Sequence, residues 1–273
     1  MKDEKIEIKF ELEELTNKFI LHLKEITDCL TNIYYAVEAS NIDIHKPLPT
    51  DSFPIVIDDK KSKPTISEQK QKTLNWVLIK AFEEFINGLT KSLKETYRYL
   101  KFHTLSLELR YPKTREEFDK EFQKIENDIE KFHFPDFIEK IEKLLNNSLP
   151  YKDEILSINK IRNCFVYRDG VVGEKDIKNS STTELCLKWI SLKYWTKIDG
   201  QQTEITYDLR KNGITVNNLS YKTIKNEKSF KLGDQILLDI NEFNGIAYTC
   251  SAFANGLFSL MPKQDKMVKE FLD

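Results

Sequence analysis

Ile158-Asn159-Lys160-Ile161-Arg162-Asn163-Cys164-Phe165-Val166-Tyr167-Arg168-Asp169-Gly170-Val171-Val172 is the stretch at which the chain changes character. Up to Arg168 it reads as the last helix of a series, running from about 151 to 168. Asp169-Gly170 then ends the helical period, since glycine takes backbone conformations that close a helix. Beyond it, from about 185, apolar residues alternate with polar ones, which is the period of a half-buried strand. Helices before this point and strands after it make the fold class α+β. The reading is an up-and-down helical bundle over 1–178, then a small antiparallel sheet packed on a C-terminal helix over 179–273.

Working back toward the N-terminus, Leu12, Leu15, Phe19, Leu23, Ile26, Leu30, Ile33 and Val37 recur at threes and fours and predict a helix over about 8–39. Residues 41–68 carry Pro47, Pro49, Pro54 and Pro64 and read as a long irregular insertion, with Phe53 to Ile57 as its apolar anchor. A second long helix follows over about 68–109, with a buried face running from Leu74 through Phe82, Phe85 and Leu93 to Leu100. Gly88 within it either weakens the helix or allows a close helix approach. Thr114-x-x-Glu117 has the form of a capping box and opens a third helix to about 131. Pro135 suits the first turn of a fourth helix, which ends at Asn146-Asn147.

Working forward, Leu185, Leu187 and Trp189 alternate on one parity and Ile190, Leu192 and Tyr194 on the other, which predicts a bulged strand. Asp199-Gly200 and Asn212-Gly213 are hairpin turn signals, with Ile205, Tyr207 and Leu209 between them and a further strand from Tyr221 to Ile224. Asp239-Ile240-Asn241-Glu242 is another capping box, and the helix behind it is expected to pack on the sheet. Trp189, Tyr194 and Trp195 suit packing of a small sheet better than base stacking on an open face.

Composition narrows the function. With 40% hydrophobic and 32% charged residues, the chain supports a core under a charged surface. A net charge of −2 removes the class of strongly basic nucleic-acid binders, so any contact with RNA must come from a local patch. Cys29, Cys164, Cys186 and Cys250 form no CxxC pair and stand beside no histidine cluster, so neither a metal site nor any cofactor is expected. No run of about 18 apolar residues appears, so no membrane partner is expected. The charged N-terminus reads as neither a signal nor a transit peptide, and the expected location is cytoplasmic. Phosphate loops, nucleophile elbows and zinc-protease motifs are absent from the sequence.

Only six of the 42 basic residues are arginines, and Arg162 and Arg168 both fall in the opening stretch. An arginine, an amide and a phenol near one helix end, as Arg162, Asn163 and Tyr167 are, can hold a phosphate. The same residues also fit a structural role, with Arg162 capping carbonyls or pairing with an acid and Tyr167 half-buried.

The segment resembles the signature of HEPN domains (higher eukaryotes and prokaryotes nucleotide-binding), an arginine followed by a polar residue, three more residues and a histidine. Arg162-Asn163-Cys164-Phe165-Val166 follows that pattern, and Tyr167 stands where the histidine belongs. Arg168-Asp169-Gly170-Val171-Val172 looks like the exit that follows the motif in many bacterial members. The resemblance spans about residues 8–175, and the Phe230-Lys231-Leu232-Gly233-Asp234 turn with its following helix looks like a tail found on some relatives. It implies a helical bundle, an RNA-targeting, toxin-antitoxin or defence setting, a homodimer, and metal-independent ribonuclease chemistry, whether weak or degenerate. Arg162, Asn163 and Tyr167 are then the catalytic candidates, and Arg162 with Arg168 the substrate-binding ones. A phenol has a reference pKa of about 10 and is poorly matched to proton transfer near neutrality. Arg98-Tyr99-Leu100-Lys101-Phe102-His103 repeats the arginine-to-histidine spacing but lacks the polar second residue and the glycine exit. His103 is therefore a composite partner only if the bundle carries it to Arg162. The alternative is a non-enzymatic, dimerising subunit that binds another protein.

Overall fold

The computed structural model describes residues 5–9, 12–40, 65–107, 114–178, 183–198, 200–205, 218–262 and 266–270. In chain order the elements are β1 (Lys5–Lys9), α1 (Leu12–Ala39), α2 (Ile66–Leu107), α3 (Arg115–Lys131), α4 (Phe134–Leu145), α5 (Lys152–Arg168), α6 (Glu174–Ile177), β2 (Glu184–Ile198), β3 (Gln201–Glu204), β4 (Ser220–Lys231), α7 (Ile240–Leu260) and β5 (Lys266–Glu270). The fold is α+β, a helical N-terminal part followed by a three-stranded antiparallel sheet in the order β3-β2-β4. Among the described residues, no helix is long and apolar enough to cross a membrane.

The 42-residue α2 is the axis of the bundle. Its predicted face is buried from Leu74 to Leu100, and Ile86, Tyr99 and Phe102 on other faces are buried as well. It therefore packs against α1, α3, α4, α5 and α7. At Gly88 the α1 side approaches so closely that a Cβ there would lie 2.5 Å from Cδ2 of the His22 ring. Thr114 caps α3 by accepting from the Glu117 amide at 3.2 Å. Arg98 braces α3 through a bidentate pair with Glu126 at 2.6 and 2.8 Å and also meets Glu95.

Two sequence expectations are corrected, and three others lie wholly or mostly outside the described residues. The first helix begins at Leu12, not near residue 8, because Lys5-Ile6-Glu7-Ile8-Lys9 has period two and forms a strand antiparallel to β5. β2 has no bulge, since its register with β4 is unbroken from Glu184↔Lys231 to Trp195↔Ser220. The parity switch has another cause. α5 and α7 both pack on β2, so Trp189 and Ile190 are buried side by side. Most of the Pro-rich insertion, the Ile205-to-Leu209 strand beyond Ile205 and the Asn212-Gly213 turn lie outside the described residues. The Asp199-Gly200 signal coincides with the β2–β3 hairpin, where Gly200 has φ +80°.

Beyond the short β3 pairing, the remaining edge of β2 is closed by helices. An edge strand exposes amides that need partners. The Ser157 hydroxyl of α5 accepts from the Lys188 amide at 2.8 Å, and the Thr249 hydroxyl of α7 accepts from the Ile190 amide at 2.9 Å. The Asp239 cap that starts α7 forms the full capping box, with Glu242 accepting from the Asp239 amide at 2.9 Å. α7 contacts the sheet and also α1, α2 and α5, so one apolar core runs across the 178–179 boundary.

Two predictions follow from these contacts. Thr249→Val keeps the side-chain shape but strands the buried Ile190 amide, and it should cost about 1–3 kcal/mol in urea unfolding; an unchanged midpoint would show that the edge is not held this way. The hydrogen bond from Arg98 holds the Glu126 carboxyl below its ordinary value of 4.5. A lowered folded pKa contributes stability above the unfolded value, which is lost as pH falls through the folded one. The stability advantage of the wild type over Glu126→Gln should thus be full near neutrality and shrink as pH drops below 4.5; a difference that stays constant down to the acid limit contradicts the ion pair.

Candidate phosphate-binding groove

α5 presents two faces. Ile155, Ile158, Ile161 and Phe165 are buried in the core. Asn159, the adjacent Arg162 and Asn163, and Tyr167 recur about one turn apart on another side and line an open groove of about 660 Å³. The other walls come from α2, with Glu84, Asn87, Thr90, Lys91 and Lys94, and from the α3–α4 link, Phe132 to Pro135.

Arg162 is the fixed point of this groove. One terminal nitrogen donates to the Asn163 amide oxygen and the other to the Asn87 amide oxygen, each at 3.2 Å. Its Nε is buried and has no partner. No carboxylate pairs with the guanidinium among the described residues; Glu84 reaches it only through Asn87, whose amide nitrogen lies 3.4 Å from Glu84 Oε1. Two neutral amides orient the group without discharging it, so its positive charge remains for a ligand. Lys91 and Lys94 add two cations along the same groove, against the one carboxylate of Glu84. A concave surface with three cations, side-chain amides and a threonine hydroxyl suits a phosphate or another oxyanion.

The predicted residues divide. Arg162, Asn163 and Tyr167 come together on the groove, with Tyr167 69% exposed at its edge and not part of the core. Arg168 is engaged elsewhere. It pairs with Asp176, and its side chain lies against Gly173, where an added Cβ would sit 2.9 Å from Cδ. Asp176 also accepts from the Gly173 amide at 2.9 Å, so Arg168 braces the turn into α6. His103 stands 16 residues along α2 from Asn87, about 24 Å at the rise of an α-helix. It packs against Tyr99, and burial pushes its pKa down. The Arg98 of that rival motif is the Glu95–Glu126 brace.

The glycine exit has a structural partner. Gly170, at φ +77°, accepts from the Ile236 amide at 2.8 Å, and Val172 exchanges backbone bonds with Gly233 and Asp234, each at 2.9 Å. The end of α5 is thereby tied to the turn after β4. The aromatic residues of the sheet also divide: Trp189 is buried with its indole against Gly245, whereas Tyr194 stays partly exposed beside Tyr221.

Asn87, Lys91, Lys94 and His133 line the groove without having been singled out in the sequence. The first three fall at i, i+4 and i+7 on α2, a polar stripe that periodicity makes visible in retrospect. His133 is exposed at the start of α4, where its backbone amide donates to Asp136 at 2.8 Å. Its only sequence signal is a polar residue between Phe132 and Phe134, just before a helix-opening proline. Compared with protein-family models, with curated proteins and with solved structures, the chain matches none.

Proposed function

We propose that the chain is a HEPN-like RNA-binding protein whose α2–α4–α5 groove takes the phosphate backbone of RNA, with Arg162 as the principal phosphate contact. One observation carries this reading: the Arg162 guanidinium faces a cleft, held by two amides and by no carboxylate. A structural arginine is expected to end on an acid, as Arg98 and Arg168 do in this same chain. Lys91 and Lys94 extend the positive surface along the groove, which suits a chain of phosphates better than a single one. This local patch supplies the electrostatics that a net charge of −2 withholds from the molecule as a whole. The Arg162-Asn163 pair at the motif position supports the family reading. The defence or toxin-antitoxin setting and the homodimer belong to the same reading and rest on the resemblance alone.

The test is direct binding of labelled single-stranded RNA, followed by fluorescence anisotropy over a range of salt concentrations. Removing a charged hydrogen-bond donor costs about 1.5–3 kcal/mol, so Arg162→Ala should weaken binding roughly 10- to 100-fold. Lys91→Ala and Lys94→Ala should each flatten the dependence of affinity on salt. Equal binding by wild type and Arg162→Ala would remove the groove from RNA recognition. An absence of RNA binding by the wild type would leave the interaction-subunit reading in its place.

A further inference from the structure

We propose that a second groove, next to the Arg162 groove, takes a nucleobase of the bound RNA and selects guanine. The inference rests on the RNA-binding reading above and adds a base specificity to it. The second groove has a volume of about 620 Å³. Asn159, Asn163 and Pro135 line both grooves, so the two meet along α5. Asn163 is also the residue whose amide oxygen accepts from Arg162 at 3.2 Å, so the shared wall touches the phosphate-facing guanidinium directly. Asn159 is only 6% exposed, and its side chain has no hydrogen-bond partner among the described residues. A buried amide left unpaired is costly, and this one opens onto both grooves, where a ligand can satisfy it.

The second groove is opposite in charge to the first. Asp153, Asp176, Glu184 and Glu227 line it, against Lys160 and Lys188. Asp176 is taken up by Arg168 and the Gly173 amide. Glu227 faces α5 from β4. It lies two residues beyond Lys225 on the same side of the strand, and the Lys225 ammonium reaches Glu154 of α5 at 3.7 Å. Its ladder partner Lys188 is pinned to α5, with the Lys188 amide donating to the Ser157 hydroxyl at 2.8 Å. A surplus of carboxylates repels phosphate, so the RNA backbone stays with Arg162, Lys91 and Lys94 and a base crosses the shared wall. Ionised carboxylates only accept, which favours a base edge rich in donors. On guanine, N1–H and the 2-amino group are adjacent donors that fit the two oxygens of the Glu227 carboxylate. The O6 acceptor beside them suits the unpartnered Asn159 amide. Uracil has one donor between two acceptors and cannot make that paired contact. Adenine and cytosine each place a ring acceptor beside their amino group, where it would meet the second carboxylate oxygen.

The experiment uses the full chain and a set of labelled single-stranded RNAs, each a uridine tract with one central guanosine, inosine, adenosine, cytidine or uridine. In anisotropy titrations at one salt concentration, the guanosine strand should bind roughly 10-fold tighter than the all-uridine strand, with the adenosine and cytidine strands below it. Inosine lacks the 2-amino group and should lose most of that preference. Glu227 is exposed, so Glu227→Gln should fold as the wild type does. With one acceptor oxygen in place of two, it should bring the guanosine and uridine strands to within about twofold of each other. Equal wild-type affinity for the guanosine and uridine strands, or for the guanosine and inosine strands, would overturn the inference and spare the phosphate contact. A guanosine preference that survives Glu227→Gln would overturn it as well. Wild type that binds none of the strands would bring down both readings.

Discussion

The burial of the apolar faces of α2 is the constraint on which the rest of this structure depends. A helix of 42 residues with buried side chains on several faces needs other helices around it, and here five pack against it. Its apolar faces from Leu74 to Phe102 fix where α1, α3, α4, α5 and α7 can sit. A polar stripe of α2, from Asn87 through Lys91 to Lys94, lines the groove. The Asn87 amide meets Arg162 from α5, and the start of α4 adds the third wall. The groove is thus a part of the central helix that packing leaves open, and its charge follows from the residues placed there.

Arg98, Arg168 and Arg162 are used in two ways. Arg98 and Arg168 each meet carboxylates and hold elements together, Arg98 joining α2 to α3 and Arg168 setting the turn into α6. Arg162 meets amides only. An ion pair would satisfy the guanidinium within the protein and remove its attraction for an anion. Amide oxygens fix its direction at little electrostatic cost. This contrast within one chain separates a residue that braces from one that faces a ligand, and composition alone does not draw it.

Much of the fold was legible because it follows from periodicity. The buried face of α2, the Thr114 and Asp239 caps, the proline start of α4 and the β2–β3 turn are all local signals. The misreadings came where tertiary packing decides. The two-parity pattern of β2 looked like a bulge because the sequence does not disclose that Ser157 and Thr249 close its edge and bury both parities. Residues 8–9 looked like the start of a helix because the partner strand of β1 lies at the other end of the chain. The site was half legible for the same reason. Arg162, Asn163 and Tyr167 share one helix, so spacing groups them. His133 and Asn87 join them only through the packing of α4 and α2 on α5, which no local pattern reports.

The central claim is that the Arg162 guanidinium is held ready for a phosphate, and its side-chain N–H signals report on this most directly. With the arginine side chains labelled for nuclear magnetic resonance, the Arg162 guanidinium signals should move as a 2′-deoxy oligonucleotide is added, because its terminal nitrogens meet only neutral amides within the protein. The Arg98 signal, held by Glu126, should stay still. An Arg162 signal unchanged at saturating oligonucleotide, while signals elsewhere on the chain shift, would contradict the account.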